Sequence, residues 1–307
     1  MQVIKRFVSI LLLLWLVNVL GFGYAYFAQI LYLKRSPFLS SNANLPPFFP
    51  AYFSYLQNLF TGTPTLFPPN PSVDGINLGK AMAMSGILAL GVALISLPVG
   101  IWLGKVSVQH SPPRTQPTLL WSASLALGLP AFYLGAVFLL LAWRLPSSLG
   151  NGLLWVLPFL TLSIRPTLQI ARFTANFLQA EFKKPYVLTA RGYGKTWQDI
   201  RARDAFANII APLSAVVASS LRLLLAEMIL VERLFNWEGV GRLFALAMVT
   251  ARSTATRAQP TFLHPPLVAG LVTLFALLYF LIAWLAEIVA NRADARLTVE
   301  QEAAEHA

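Results

Sequence analysis

Along this chain, apolar runs of about twenty residues alternate with short polar segments, and the period of that alternation is the length of a membrane crossing. A helix needs about 20 apolar residues to traverse roughly 30 Å of hydrocarbon. Phe7–Ala28, Ala81–Gly104, Thr118–Trp143 and Leu267–Ala286 meet that length without a charge. Gly152–Ala171, interrupted by Arg165, and Ala205–Val231, which carries Arg222 and Glu227, complete a set of six. Backbone in lipid must satisfy its own hydrogen bonds, so each run is predicted to be helical. The pattern therefore predicts an all-α polytopic membrane protein with six transmembrane helices. It divides into an N-terminal transmembrane helix (1–30), an extracytoplasmic loop (31–79), a core of five transmembrane helices (80–291) containing a polar loop at 183–204, and a cytoplasmic tail (292–307).

The first run follows Lys5 and Arg6, as a signal peptide would. Its apolar stretch exceeds the usual 7 to 15 residues or so and no small-x-small cleavage site closes it, so it reads as a retained anchor. Lys and Arg collect on cytoplasmic flanks. With the N-terminus inside, thirteen of the 23 fall on cytoplasmic segments, eight on outer ones, and Arg165 and Arg222 within spans. Both termini are thus expected in the cytoplasm.

Between the first two spans, proline density in LPPFFPAYFSYLQNLF and PTLFPPNPSVDG limits long helix, leaving one short amphipathic helix near Tyr52–Phe60 in the headgroup layer. Gly100 and Gly104, four apart, suit close helix packing in lipid. In Val231–Ser253, Gly239 and Gly241 are expected to break the helix before a short outer-surface helix.

Composition then narrows the chemistry. Charged residues make up 11% against roughly 25% in soluble domains, and mean hydropathy is +0.64. The net charge of +11 is scattered over membrane borders and does not form a basic stripe with stacking aromatics, so nucleic acid is not an expected partner. Cysteine is absent, and the three histidines (His110, His264, His306) stand apart from acidic clusters at ligand spacing, which leaves no predicted metal site. Gly192-Tyr193-Gly194-Lys195-Thr196 ends like a phosphate-binding loop, but the required earlier glycine is Thr189 and the context is helical. No enzymatic activity is expected of the chain itself.

Charges inside spans cost roughly 2.5–3.5 kcal/mol each on insertion scales and must face protein or water. Arg165, Arg222 and Glu227 are therefore candidates for lining a translocation pathway. A structural ion pair of Arg165 with Glu227 is the alternative, compatible with the first. Arg222 and Glu227 lie about 140° apart around one helix, too far to pair readily.

The longest polar stretch is PYVLTARGYGKTWQDIRARDAFANIIAP, Pro185 to Pro212, a water-facing segment between two spans. Its Ala190, Gly194, Asn208 and Pro212 resemble the cytoplasmic EAA loop of binding-protein-dependent ABC importer permeases of the dipeptide, oligopeptide and nickel branch, with Leu188 in place of the general Glu. LPAFYLGAVFLLLAWRLPSSLG, VERLFNWEGVGRL and AEIVANRADAR, with Glu287 and Asp294 seven apart and Ala295 where proline is usual, also resemble family segments, whereas about ten residues within Ser253–Leu263 are extra. The resemblance implies a type I ABC importer permease fold in a bacterial-type inner membrane. It also implies ATPase-coupling roles for Tyr186, Thr189, Ala190, Gly194, Lys195 and Thr196. The partners it implies are a homologous permease subunit, two ATP-binding subunits that hold ATP and Mg, a solute-binding protein and membrane lipid; the chain itself holds no cofactor. A Sap-type transporter of antimicrobial peptides or polyamines, and a non-transporting scaffold or sensor for an ATPase, are alternatives of the same fold.

Overall fold

The computed structural model describes residues 2–35, 46–61, 78–110, 113–144, 147–248 and 263–293. Most of the loop at Ser253–Leu263 and the tail with Asp294 and Ala295 lie outside the described residues. The helices are α1 (Gln2–Arg35), α2 (Phe48–Phe60), α3 (Leu78–Val106), α4 (Pro117–Gly128), α5 (Ala131–Ala142), α6 (Ser147–Glu181), α7 (Pro185–Gly192), α8 (Trp197–Asp199), α9 (Phe206–Leu234), α10 (Val240–Met248) and α11 (Pro265–Ala293). A π-helical turn, Ile200–Ala205, joins α8 to α9. Among the described residues five helices are long and apolar enough to cross a membrane, and the bent pair α4–α5, taken as one span, makes six. Helix α2 falls where the amphipathic helix is predicted.

The third span departs from the expected single rod. It breaks at Leu129-Pro130 by 93° into α4 and α5. Pro130 has no N–H to donate and its ring pushes the preceding residue out of helical geometry, which is why Leu129 is extended at φ −103°, ψ 124°. A second departure is a small antiparallel hairpin after α3, β1 (Val108–His110) with β2 (Pro113–Thr115), in which Val108 faces Thr115. A third concerns the turn before α10. The residue with positive φ there is Asn236 (φ 55°), and Gly241 lies inside α10 rather than breaking it. Asparagine reaches the left-handed region more readily than most side chains.

The chain forms two compact units. One comprises residues 1–85 and 236–280, the other 86–235 and 281–307. In the first, α1 and α2 are knotted by aromatics: Phe22, Tyr26, Phe48, Tyr52 and Tyr55 pack together, with Phe22 and Tyr55 stacked at 5.4 Å. Asn18, buried in α1, donates to Tyr55 Oη (3.0 Å) and Thr273 Oγ1 (2.9 Å) and accepts from Tyr52 Oη (3.1 Å). That uses its whole amide, as a polar side chain in lipid requires. The segment before α10 is fixed by Trp237 Nε1 donating to the Met84 carbonyl (3.1 Å) and by the Val240 amide donating to Ser85 Oγ (2.8 Å).

The second unit is built on α6 and α9. Their most apolar windows are 44% buried, against 22% for α3 and α11 and 11% for α1, so these two helices are its axis. Helices α4, α5 and the β-hairpin pack on α6. Helix α3 approaches α6 at its glycines. A Cβ on Gly100 would stand 2.8 Å from the Thr167 carbonyl oxygen, and one on Gly104 would stand 2.6 Å from that of Ala171. Backbone cannot yield as a side-chain tip can, so the two glycines set the distance between these helices. Gly104→Leu is expected to destabilise the protein by about 1–3 kcal/mol. Gly86→Ala, with nothing within 4 Å of the added carbon, should leave stability unchanged or raise it. Thermal unfolding in detergent, followed by size-exclusion chromatography, checks both.

Candidate functional site

Two places carry the predicted residues. The first is the polar loop after α6. Lys184 is extended (ψ 147°) and Pro185 occupies the first helical position, where its missing N–H is no loss, so α7 starts there. One face of α7 is anchored by Val187, 1% exposed, which packs with Leu178, Phe182, Ile200, Ala205 and Ile209. Ala190 is partly buried against the same cluster.

The end of α7 explains the spacing of Ala190 and Gly194. The Lys195 amide donates to the Ala190 carbonyl (3.1 Å) and the Gly194 amide to that of Arg191 (2.9 Å), while Gly194 has φ +81°. This is a Schellman closure, whose left-handed residue favours glycine. The turn is held further by Arg191, which donates to the Lys195 carbonyl (2.9 Å) and lies over the Trp197 ring at 5.1 Å. Lys195 Nζ pairs with Asp204 at 2.8 Å, and Thr196 caps α8 by accepting from the Asp199 amide at 3.2 Å. In this arrangement Gly192 is helical and the Lys195 ammonium is occupied, unlike a phosphate cradle.

Sequence reasoning missed the group that ties this loop down. Glu181, the last residue of α6, is buried (6% exposed). It accepts from Lys184 Nζ (2.5 Å), from Tyr186 Oη (2.9 Å) and from Asn208 Nδ2 (3.3 Å). One carboxylate thus joins the end of α6, the start of α7 and the start of α9. Burial, and then the adjoining Glu181 carboxylate, push the Tyr186 phenol up to about 12. It therefore stays a donor throughout the physiological range. A raised tyrosine contributes its stability fully below the ordinary value near 10 and loses it as pH climbs through 12. The available signal was a lone acid closing a long apolar helix just before two lysines. Asn208 was visible only as a motif residue.

Outward, the loop is bare. Leu188 is 76% exposed and Tyr193 85%, with Thr189 exposed beside them.

The second place lies within the spans. Arg165 on α6 forms an ion pair with Glu227 on α9, each side chain 12% exposed. Its other terminal nitrogen, Nη2, donates to the Leu127 carbonyl at 2.9 Å. Leu127 lies in the last turn of α4, where the break at Pro130 leaves carbonyls without helical donors. A cation there also complements the helix dipole. Arg165 accordingly joins α4, α6 and α9 in one clasp. On α6, Thr161, Arg165 and Gln169 recur every fourth residue along one stripe. Thr161 Oγ1, Arg165 Nε and Gln169 Oε1 are buried with no hydrogen-bond partner among the described residues. Gln169 Nε2 makes a long contact, 3.4 Å, to Ser219 Oγ. Arg222 is half-buried elsewhere around α9 and is not brought to Glu227. The loop and the clasp are separate sites: from Arg165 to Glu181 is sixteen residues of helix, about 24 Å.

The fold is that of a polytopic helical membrane protein with a structured polar loop. Residues 96–298 match the family described as binding-protein-dependent transport system inner membrane component. The chain belongs to that family and is a permease subunit of an ABC transport system, a class that works with ATPase and solute-binding partners. It is 23% identical over 206 residues to the dipeptide transport system permease protein DppB of Lactococcus lactis, covering 64% of this chain and 67% of that protein. It is 21% identical over 259 residues to the Bacillus subtilis protein of the same name, covering 82% and 80%. To the glutathione transport system permease protein GsiC of Pectobacterium atrosepticum it is 28% identical over 168 residues, covering 53% of this chain and 51% of that protein.

Glu227→Ala strands the Arg165 charge and is expected to cost about 3–5 kcal/mol. Arg165→Lys keeps the charge but offers one point donor to two partners, and should lie between wild type and Glu227→Ala. Pairing Arg165→Glu with Glu227→Arg should recover only part of the loss, because Glu cannot donate to the Leu127 carbonyl. Unfolding temperatures of the four proteins in one detergent check this order.

Proposed function

We propose that this chain is one of two homologous membrane subunits of an ATP-driven importer of peptides. Its loop 183–204 is the seat for a separate ATP-binding subunit, one of two in the assembly. A solute-binding protein delivers cargo at the opposite face, and both termini lie in the cytoplasm. ATP and Mg belong to the partner subunits, and this chain supplies the pathway and the lever. Family membership and the peptide names of its relatives support this reading.

The observation that carries it is the construction of α7. It is a short helix capped by a left-handed glycine, hung on a buried carboxylate that also grips α6 and α9, with Leu188, Thr189 and Tyr193 facing outward. A partner that closes on ATP and reopens after hydrolysis would push on this face, and the push would pass to both axial helices without being absorbed by a flexible joint. Tyr186, Ala190, Lys195 and Thr196 keep the loop in shape, while Thr189 faces the partner. Within the spans, the stripe of Thr161, Arg165 and Gln169 offers unsatisfied polar atoms of the kind that amide and carboxylate groups of a passing peptide can use. Arg222 adds a further cation at the same depth of α9.

Gly194→Val places a branched residue at positive φ, costing roughly 1–2 kcal/mol and distorting the turn locally. Assembly with partner subunits and ATP hydrolysis are expected to survive, while ATP-dependent dipeptide uptake into proteoliposomes falls at least tenfold. Unchanged uptake would refute the coupling role.

A further inference from the structure

In the second unit an apolar groove runs between α3, α9 and α11. Ile101, Phe206, Leu213, Val217, Leu285 and Val289 form much of its wall, and Ser214 is its one polar residue. From Phe206 to Leu221 it follows fifteen residues of α9, about 22 Å. That exceeds the roughly 15 Å an acyl chain needs to cross half of a hydrocarbon layer some 30 Å thick.

Its chemistry is asymmetric. At the Phe206 end, Lys105 Nζ sits 3.4 Å from the centre of the Phe206 ring, so the ammonium caps a wall residue of the groove. Arg201 donates Nη1 to the Lys105 carbonyl at 3.0 Å, which fixes the guanidinium beside the same helix end. The two cations are within electrostatic reach of one another, and neither has a carboxylate partner among the described residues. On α11, Arg292 follows Val289 by three residues and so shares its face, with its side chain exposed. Like charges held together repel, and they are tolerated where an anion sits between them. Toward its far end the groove is lined by Val217, Ala218 and Leu221, all apolar.

We propose that this groove holds an anionic phospholipid, its phosphate on Lys105 and Arg201 and one acyl chain along α9. Basic pockets between transmembrane helices on the cytoplasmic side are where acidic headgroups bind. The placement of this end in the cytoplasmic leaflet rests on the topology under Proposed function. A lipid wedged between α3, α9 and α11 would brace the helix that starts at the coupling loop.

The test is native mass spectrometry of the full chain, assembled with its partner subunits, titrated with palmitoyl-oleoyl phosphatidylglycerol or with the matching phosphatidylcholine. Wild type should retain the phosphatidylglycerol about 30-fold more tightly, the ratio given by ~1 kcal/mol from each of two cations. The Lys105→Gln/Arg201→Gln double variant should lose that preference, and Lys105→Arg/Arg201→Lys should keep it, which separates loss of charge from loss of fold. Val217→Trp, which fills the groove, should lower retention of both lipids. Equal retention of the two lipids by wild type, or a preference untouched by the double Gln variant, overturns the proposal. So does crosslinking of Val217→Cys to a helix of another protein chain, which would make the occupant a protein. These outcomes leave the transport reading standing, since that is read from uptake.

Discussion

A single carboxylate, Glu181, sits where three helices meet, and the mechanical reading of this protein depends on it. It is buried, it ends one axial helix, and it accepts from the lysine before α7, from a tyrosine in the first turn of α7 and from an asparagine at the start of the other axial helix. A short surface helix has little stability of its own, because a nucleus of helix is costly and eight residues are too few to repay it. Helix α7 persists because Val187 is in the core, Gly194 closes its end and Glu181 holds its beginning. Remove the carboxylate and three donors lose their common partner. The loop would then be a tether, and force applied to it would bend the tether before it moved a span.

The same logic of few strong points in a soft medium runs through the membrane part. Hydrophobic burial discriminates poorly between helix partners in lipid, so position is set by close backbone contact and by polar clasps. Gly100 and Gly104 bring α3 against the carbonyls of α6, and Arg165 fastens the broken span to both axial helices. The break at Pro130 and the arginine belong together: the proline frees carbonyls that lipid cannot satisfy, and the guanidinium supplies a donor for one of them while Glu227 balances its charge. In the other unit, Asn18 plays a comparable part among α1, α2 and α11, with every hydrogen-bonding group of its amide engaged.

Much of this was legible in the sequence because it follows from length and periodicity. Six apolar stretches match five long helices and one bent pair, the charges inside two of them admitted the Arg165–Glu227 pair as one of two compatible readings, and the four-residue spacing of Ala190 and Gly194 is that of a helix end. What escaped depended on contacts far apart in the chain or on the choice between neighbouring residues. A hydropathy window cannot see that Pro130 turns the third span by 93°, since both halves remain equally apolar. Near α10, two glycines drew attention while Asn236 took the positive φ. Glu181 was not singled out, because nothing local reveals that Asn208, 27 residues later, returns to meet it. The β-hairpin escaped because three-residue strands leave almost no periodic signal.

In the proposed mechanism α7 moves as one body with the start of α9. Spin labels at Thr189 and Ala215 in the assembled transporter, with distances taken by electron–electron resonance in the nucleotide-free and ATP-trapped states, test it directly. This distance is expected to stay constant while the distance from Thr189 to the equivalent position on the proposed homologous permease subunit changes by several ångströms. A shift of several ångströms between Thr189 and Ala215 within one chain would contradict it.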